Sequence, residues 1–395
     1  MSENSDKVGF GQHTLEEPVH LETVTVRQDL EPGNTIHQEL TSIEGDCDDP
    51  QSWPKWKREL QIWMIAVHSM VSTFMAAGII PAYERMAKDY GVSVHQTSYL
   101  SSAQILLLGV APLLWGPISS RYGRYHLCVF SVFGSMLCNI GGARCTTFGA
   151  QIATRVLTAF LISPPIGICG GIITELALPE HRAGKLGYWT LLTVLGTPTG
   201  PFIMGFVMQH TELSWVYWIF ALMNFVYENG EHINSALSSK RTLLQRLLPR
   251  RTDPSPLSFR AFLKPLSLAK YPRILILALA HSITFCYANI AIVVEVPIAF
   301  GEKFHLNAQK IGLQFIGVVI GSALGEQLSG RASDYFIKFL RKRKPEVHPA
   351  DRLWLVCIGF ATVFCGLLTW GFQLQNATSW NVTPCVGAAI ASFGN

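Results

Sequence analysis

The sequence predicts an all-α membrane protein, and three features of its composition support that fold class. Of the 395 residues, 49% are hydrophobic and only 15% are charged, whereas about 25% are charged in ordinary soluble domains. The mean hydropathy of +0.27 is high for a chain that also has long polar segments, so apolar residues must be concentrated in runs. The nine cysteines are scattered without a CxxC pair, which argues against a disulfide framework and a zinc site. This composition excludes a disordered protein, a collagen and an ordinary soluble enzyme.

Membrane spans account for the apolar runs. A helix that crosses the roughly 30 Å hydrocarbon core of a bilayer needs about 20 mostly apolar residues. Eight runs are predicted as spans: Ile62–Ala82, Ser98–Ile118, His126–Ala143, Ala153–Ile173, Gly187–Met208, Arg273–Val296, Ile311–Ser329 and Leu353–Gln373. Two further runs, Trp215–Val226 and Pro384–Phe393, are shorter and are candidate spans at the sixth and tenth positions.

Charge and polarity divide the chain into four parts. Residues 1–58 are predicted to be a disordered acidic cytosolic tail, because residues 1–50 carry twelve acidic and two basic side chains. Residues 59–226 hold spans one to six, and residues 273–395 hold spans seven to ten. Residues 227–272 are polar and basic, which predicts a cytosolic linker between two helical bundles.

The distribution of basic residues predicts the orientation. Residues 1–50 have a net charge of −10, which leaves +14 for residues 51–395. Lys and Arg are concentrated in alternate loops, including the long linker and the segment Arg341–Lys344, and such loops face the cytosol. We therefore expect a multi-pass protein with a cytosolic N-terminus and the lipid bilayer as its main partner. Nothing in the sequence implies a nucleic acid or an obligate protein partner. The glycosylation sequons at Asn376 and Asn381 fall in a predicted outer loop, close enough to the membrane that we expect them to stay unused.

Charged residues within spans are candidate functional residues, because a charge in hydrocarbon costs several kcal/mol unless it faces a partner or a cavity. Arg155 in the fourth span fits proton coupling, contact with a substrate charge, or a buried structural ion pair, and the sequence names no acidic partner for it. Glu295, near the outer end of the seventh span, is either a proton carrier or an interfacial carboxylate in contact with water. Further polar groups within spans are His68, Gln104, Asn139, Asn224, His281, Asn289 and Glu326.

The fifth span contains the segment Gly196-Thr-Pro-Thr-Gly200-Pro201-Phe-Ile-Met-Gly205. Glycines four residues apart share one helix face and allow a neighbouring helix to approach closely. Prolines remove backbone donors and bend a helix. The segment resembles the antiporter motif gxxxGPxxxG of the fifth helix in the major facilitator superfamily. In that family the fifth and eighth helices face one another, which implies contact with a second stripe of small residues: Gly317, Gly321, Gly325 and Ser329.

The loop between the second and third spans carries a second resemblance. The segment Gly116-Pro-Ile-Ser-Ser120-Arg121-Tyr-Gly123-Arg124 is similar to the superfamily's cytosolic signature GxLaDRxGRR. This implies that Gly116, Arg121, Gly123 and Arg124 form an inner gating loop. Ser120 stands where the family has Asp, which weakens the ion-pair part of that gate. The segment that starts at Arg155 is similar to the family's RxxqG element, which implies a role in coupling.

Longer stretches resemble one branch of the superfamily, the fungal drug:proton antiporters. They include Asp49-Pro-Gln-Ser-Trp53, Trp115-Gly-Pro-Ile and Trp380-Asn-Val-Thr-Pro384. The resemblance implies two helical bundles and alternating access. It also implies proton-coupled efflux of a small organic molecule such as a drug, a toxin or a metabolite. No cofactor beyond the proton gradient is implied, and the plasma membrane or the vacuolar membrane is the expected location. An enzyme is not expected, since the sequence has no His/Glu metal cluster, nucleophile elbow or paired intramembrane aspartates.

Two departures from the family suggest truncation. Family members have twelve spans, whereas nine or ten are predicted here. The sixth is cut short after Val226, and the chain stops at Asn395 within the tenth, so the C-terminal half is incomplete. We favour an incomplete gene model or a degenerate copy over a genuine short transporter. The alternative function is therefore a non-transporting membrane protein, either a truncated pseudo-transporter or a sensor.

Overall fold

The structure, a computed structural model, describes residues 53–178, 181–238, 259–343, 351 and 353–395. Most of the predicted acidic tail and the middle of the predicted linker lie outside these ranges. Every regular element within them is a helix, in agreement with the predicted all-α class. The α-helices are α1 Lys55–Ala77, α2 Tyr83–Tyr90, α3 Val94–Tyr122, α4 Arg124–Gly142, α5 Phe148–Ile162, α6 Pro164–Leu176, α7 Arg182–His210, α8 Leu213–Ser238, α9 Phe259–Leu263, α10 Pro272–Phe285, α11 Ile292–Phe304, α12 Ala308–Arg341, α13 Trp354–Asn376 and α14 Thr383–Gly394.

Seven helical segments of the described chain are long and apolar enough to cross a membrane. They are Lys55–Tyr90, Val94–Tyr122, Phe148–Leu176, Arg182–His210, Pro272–Phe304, Ala308–Arg341 and Trp354–Asn376. Six of them contain a predicted span entirely, and Trp354–Asn376 contains all of Leu353–Gln373 except its first residue. The remaining predicted span, at the third position, is the shorter apolar helix His126–Gly142, and Thr383–Gly394 is a second short apolar helix at the tenth. The chain is therefore a multi-pass integral membrane protein.

Two helix boundaries differ from those drawn from the sequence. Helix α1 begins at Lys55, inside the segment 1–58 that was assigned to the tail. Helix α8 continues past Val226 to Ser238, so part of the predicted linker 227–272 is helical. A change from apolar to polar side chains alters whether a helix is stable in lipid or in water, but it does not remove the backbone hydrogen bonds of the helix. Polarity alone therefore does not end a helix.

Three spans are interrupted helices. In the first, α1 ends before Gly78 and a 3₁₀ turn over Ile80–Ala82 leads into α2. In the fourth, α5 and α6 are separated at Ser163, because Pro164 and Pro165 lack the N–H groups that would continue α5. In the seventh, a π-helix over Cys286–Ala291 joins α10 to α11. Interruptions of this kind are frequent at functional sites.

The helices pack into two groups that share a core. In the first group α1 lies along α7, α3 contacts α5 and α6, and α4 contacts α5 and α8. In the second group α14 packs between α12 and α13. Helix α7 also packs against α12, which joins the groups. One apolar cluster extends across both groups and includes Phe74, Phe220, Ile292 and Phe315.

Candidate functional site

Arg155 lies at the centre of the first helix group. Its side chain is 1% exposed. The Nη1 atom donates hydrogen bonds to Oε1 of Gln104 on α3, at 3.0 Å, and to the carbonyl oxygen of Met75 on α1, at 3.3 Å. The arginine on α5 therefore holds together three helices through two neutral oxygens. It forms no ion pair with a carboxylate of the described residues, so the buried ion pair considered from the sequence is not observed there.

Two aromatic rings of α8 cover the guanidinium. Its Cζ atom lies 4.7 Å from the ring centre of Tyr217 and 5.2 Å from that of Phe220. An aromatic face attracts a cation, and the attraction is larger when the pair is desolvated. The rings offset part of the cost of burying Arg155, but they carry no net charge.

A second polar cluster adjoins this one through Met75. The Nδ2 atom of Asn139 on α4 donates to the carbonyl oxygen of Ser135 at 2.9 Å, and that of Asn224 on α8 donates to Oγ of Ser135 at 2.9 Å. Asn139 also reaches Sδ of Met75 at 3.6 Å. Polar side chains from α3, α4, α5 and α8 thus meet around Met75 of α1 inside one bundle.

The glycines of the fifth span allow α7 to lie against α1. A Cβ atom on Gly200 would lie 2.7 Å from the carbonyl oxygen of Phe74 and 3.0 Å from the nitrogen of Gly78. A Cβ on Gly196 would collide with Thr73 and with the backbone of Met70. The close approach predicted from the glycine spacing is present. The partner at these two glycines is α1, however, rather than the eighth-position helix.

Gly205 is the glycine of the motif that meets α12. Its added Cβ would lie 2.7 Å from the carbonyl oxygen of Ala308 and 2.9 Å from Cα of Gly312. The glycines of the stripe expected to make this contact, Gly317, Gly321 and Gly325, face elsewhere: all three approach backbone atoms of α14. That expectation was wrong because the helix repeat places the stripe on a different side of α12 from Gly312.

The predicted gating loop is a tight turn between α3 and α4. Gly123 has φ of +86°, a left-handed conformation that disfavours other residues, and α4 begins at the next residue. Arg124 forms a two-pronged ion pair with Glu175 at the end of α6, at 2.5 and 2.6 Å. Arg121 lies over the ring of Tyr122 at 5.9 Å. Gly116 has open space around it, so close packing does not explain a glycine there.

Glu295 and the two sequons lie at exposed positions. Glu295 is exposed on α11, whereas Val293 and Val296 of the same helix are buried. Asn376 ends α13, and Asn381 lies in the loop before α14. The Oδ1 atom of Asn381 accepts hydrogen bonds from the backbone N–H and the hydroxyl of Thr383 in its own sequon.

Sequence reasoning did not identify several residues of these sites. Gln104 was recognised as polar within a span, but not as the partner of Arg155. Tyr217, Glu175 and Gly312 were not singled out. Glu175 had a detectable signal, because it ends the fourth span on the side where the basic loop was predicted. For Tyr217 and Gly312 the sequence offers no signal, since each contact depends on which helix lies opposite.

Comparison with known proteins agrees with this architecture. A sequence profile of the Major Facilitator Superfamily matches residues 65–395. Efflux pump vrtL of Penicillium aethiopicum is 26% identical over 367 residues, which cover 88% of this chain and 72% of that protein. MFS-type transporter atr4 of Stereocaulon alpinum is 26% identical over 88% of this chain and 66% of its own length. Efflux pump radE of Floropilus chiversii is 25% identical over 88% and 68%. The chain therefore spans about two thirds to three quarters of the length of these relatives.

Two solved structures share the fold. A bacterial homologue of the human lysosomal transporter Spinster, in an inward-facing and unoccupied conformation, matches with a TM-score of 0.58 and 14% identity. That match covers 87% of this chain and 74% of the other. The nucleoside transporter NupG matches with a TM-score of 0.53 and 11% identity, over 84% and 79%. At such identities these likenesses show the fold alone. The profile match over most of the length shows the family: the chain belongs to the major facilitator superfamily of membrane transporters.

Proposed function

We propose that this protein exports a small organic molecule, a drug, toxin or metabolite, in exchange for protons by alternating access. The observation that carries the proposal is the buried Arg155, a charge held between α1, α3, α5 and α8 without a carboxylate partner among the described residues. Such a charge is costly in a membrane and marks a substrate or ion pathway. Two of the relatives described above are named efflux pumps, which favours export over uptake.

Two contacts between helices provide the pivot and the latch that the proposed transport cycle needs. The contact between Gly205 and Gly312 lets α7 and α12 pivot, because no side chain separates their backbones. The ion pair between Arg124 and Glu175 holds the loop end of α4 to α6 and would act as the inner latch. In this proposal Arg155 and Glu295 take part in coupling, and the proton gradient replaces any cofactor. The N-terminus lies in the cytosol, and the plasma membrane is the expected location.

Transport by vesicles that contain the full-length protein tests the proposal. We expect a panel of fluorescent apolar amines and aromatic toxins to include a cargo that moves only when a pH gradient is imposed. A protonophore should abolish that movement. Arg155→Gln should lose it, whereas Arg144→Gln, an exposed arginine outside the cluster, should retain it. Transport that continues unchanged in the presence of the protonophore would refute proton antiport. A well-folded, correctly inserted protein that moves no cargo would favour the alternative, a non-transporting membrane protein.

A further inference from the structure

A groove on the outside of the second helix group runs between α12 and α14. Its volume is about 900 Å³. Gly317 and Gly321 are part of its lining, and a Cβ atom on Gly321 would collide with the backbone of Ala389 on α14. The apolar walls are open to the surroundings, with Ile320 at 52% and Leu324 at 51% exposure. Because α12 is long and apolar enough to span a membrane, this groove faces the acyl chains of the bilayer.

The groove lies on the side of α12 that points away from the apolar core. Ile316, Ile320 and Leu324 line it, and their spacing of four residues places them on one face of the helix. Phe315 and Val318 belong to the core and are buried. With 3.6 residues per turn, these two side chains fall on the opposite face of α12. The groove is therefore separate from the core that the two helix groups share.

One end of the groove is polar, and it lies where α12 and α14 begin. The Oε1 atom of Gln314 accepts hydrogen bonds from Nε1 of Trp380 at 3.3 Å and from Sγ of Cys385 at 2.8 Å. Its Nε2 atom donates to the carbonyl oxygen of Lys310 at 2.9 Å. These neutral groups satisfy one another. The side chain of Lys310 is exposed in the first turn of α12 and forms no ion pair within the described ranges, so the groove ends in an unbalanced positive charge.

The length of the groove matches one leaflet of a bilayer. From Lys310 to Leu324 the helix rises about 21 Å. One leaflet supplies about 15 Å of a hydrocarbon core that is roughly 30 Å thick. Trp380, beside the polar end, belongs to a residue type that is enriched at the interface between membrane and water. With Lys310 at the level of the headgroups, the apolar part of the groove therefore extends through that leaflet.

We propose that this groove binds one anionic phospholipid, with the phosphate at Lys310 and an acyl chain along Ile320 and Leu324. A lysine near the membrane surface attracts anionic lipid, and each methylene group that is buried adds to the affinity. A second copy of the chain suits the groove less well. Packed groove to groove, it would bring two Lys310 side chains to the same depth, where like charges repel.

Binding is measured on the full chain in detergent and needs no transport. Dioleoyl-phosphatidylglycerol has a negative headgroup, and dioleoyl-phosphatidylcholine has the same acyl chains without a net charge. We expect native mass spectrometry to show one phosphatidylglycerol per chain, and the thermal unfolding midpoint to rise with its concentration in a saturable way. Phosphatidylcholine should bind roughly fivefold more weakly, which is the effect of one cation near the membrane surface. Equal binding of the two lipids, or binding of free oleate in place of phosphatidylglycerol, would overturn the proposal.

Variants locate the bound lipid. Lys310→Gln should remove the preference for phosphatidylglycerol, whereas Lys310→Arg keeps the charge and should retain it. Ile320→Trp fills the groove and should lose the bound lipid. Ile203→Trp, on α7 and outside the groove at 46% exposure, is the matched control and should keep it.

Two results for these variants would overturn the proposal. One is a preference for phosphatidylglycerol that persists undiminished in Lys310→Gln, or normal binding by Ile320→Trp. The other is a dimer mass that Ile320→Trp converts to a monomer mass, because a second copy of the chain would then fill the groove.

Discussion

The Nη1 atom of Arg155 donates to Oε1 of Gln104 at 3.0 Å, and this bond crosses from α5 to α3 deep inside the first helix group. Both side chains are buried, at 1% and 0% exposure. A charged donor and a neutral acceptor are bonded here without competition from water, which makes the contact stronger than its surface equivalent. It also fixes the side chain of Gln104, whose other end remains a free donor.

Replacing Gln104 by leucine tests the structural value of that bond. Gln104→Leu removes the acceptor and leaves a charged donor less satisfied, so we expect a loss of about 1–3 kcal/mol in folding free energy. The thermal unfolding midpoint of the purified protein measures the loss. Gln327→Leu is the control, since Gln327 is exposed on α12 and its replacement should change stability by less than about 0.5 kcal/mol. Equal midpoints for the two variants would show that the bond contributes nothing.

The glycines that face α1 should tolerate no side chain. Gly200→Ala places a methyl group within 2.7 Å of the Phe74 carbonyl oxygen, so α7 must move away from α1. Overpacking of this kind typically costs about 1–3 kcal/mol. Gly109→Ala on α3 is matched in chemistry but has open space around it, and it should be neutral or stabilising by up to about 1 kcal/mol. Unfolding midpoints compare the two, and a neutral Gly200→Ala would contradict the observed helix contact.

Substitution of Gly312 should affect transport, because the helix that Gly312 contacts belongs to the other helix group. A Cβ there would lie 3.1 Å from the carbonyl oxygens of Pro201 and Phe202 on α7. We expect Gly312→Leu to hold α7 and α12 apart and to reduce transport at least tenfold, with a smaller effect on stability. Gly330→Leu, on the same helix but in open space, should leave both properties unchanged. Transport rates and unfolding midpoints are measured on the same preparations, and normal transport by Gly312→Leu would refute the prediction.

The ion pair between Arg124 and Glu175 should matter for function more than for stability. Both side chains are partly exposed, at 36% and 61%, and exposed pairs contribute about 1 kcal/mol or less. We expect Arg124→Glu and Glu175→Arg each to impair transport through repulsion of like charges, and the double exchange to restore part of it. Arg144→Glu, an exposed arginine away from the loop, serves as the charge-matched control. A double exchange no better than either single change would mean that the pair is not a latch.

The sequence predicted some residues of the candidate site but not the residues that they contact. Arg155 stood out because a charge within an apolar run is rare and costly, and the loop from Gly116 to Arg124 stood out through its spacing of glycine and arginine. Their partners did not. Gln104 lies 51 residues before Arg155 and Glu175 lies 51 residues after Arg124, and no local pattern relates such positions. Only the packing of helices brings them together.

The sequence by itself determined that this is an all-α membrane protein, the order of its spans, and which glycines permit close contact between helices. These properties depend on composition and on the helical repeat, which act within one segment. Tertiary structure alone decided which helix lies against each face: α1 against Gly200, α12 against Gly205, and α14 against the stripe expected to meet α7. The helical repeat determines which residues share a face, but the neighbour of that face depends on how all the helices pack together.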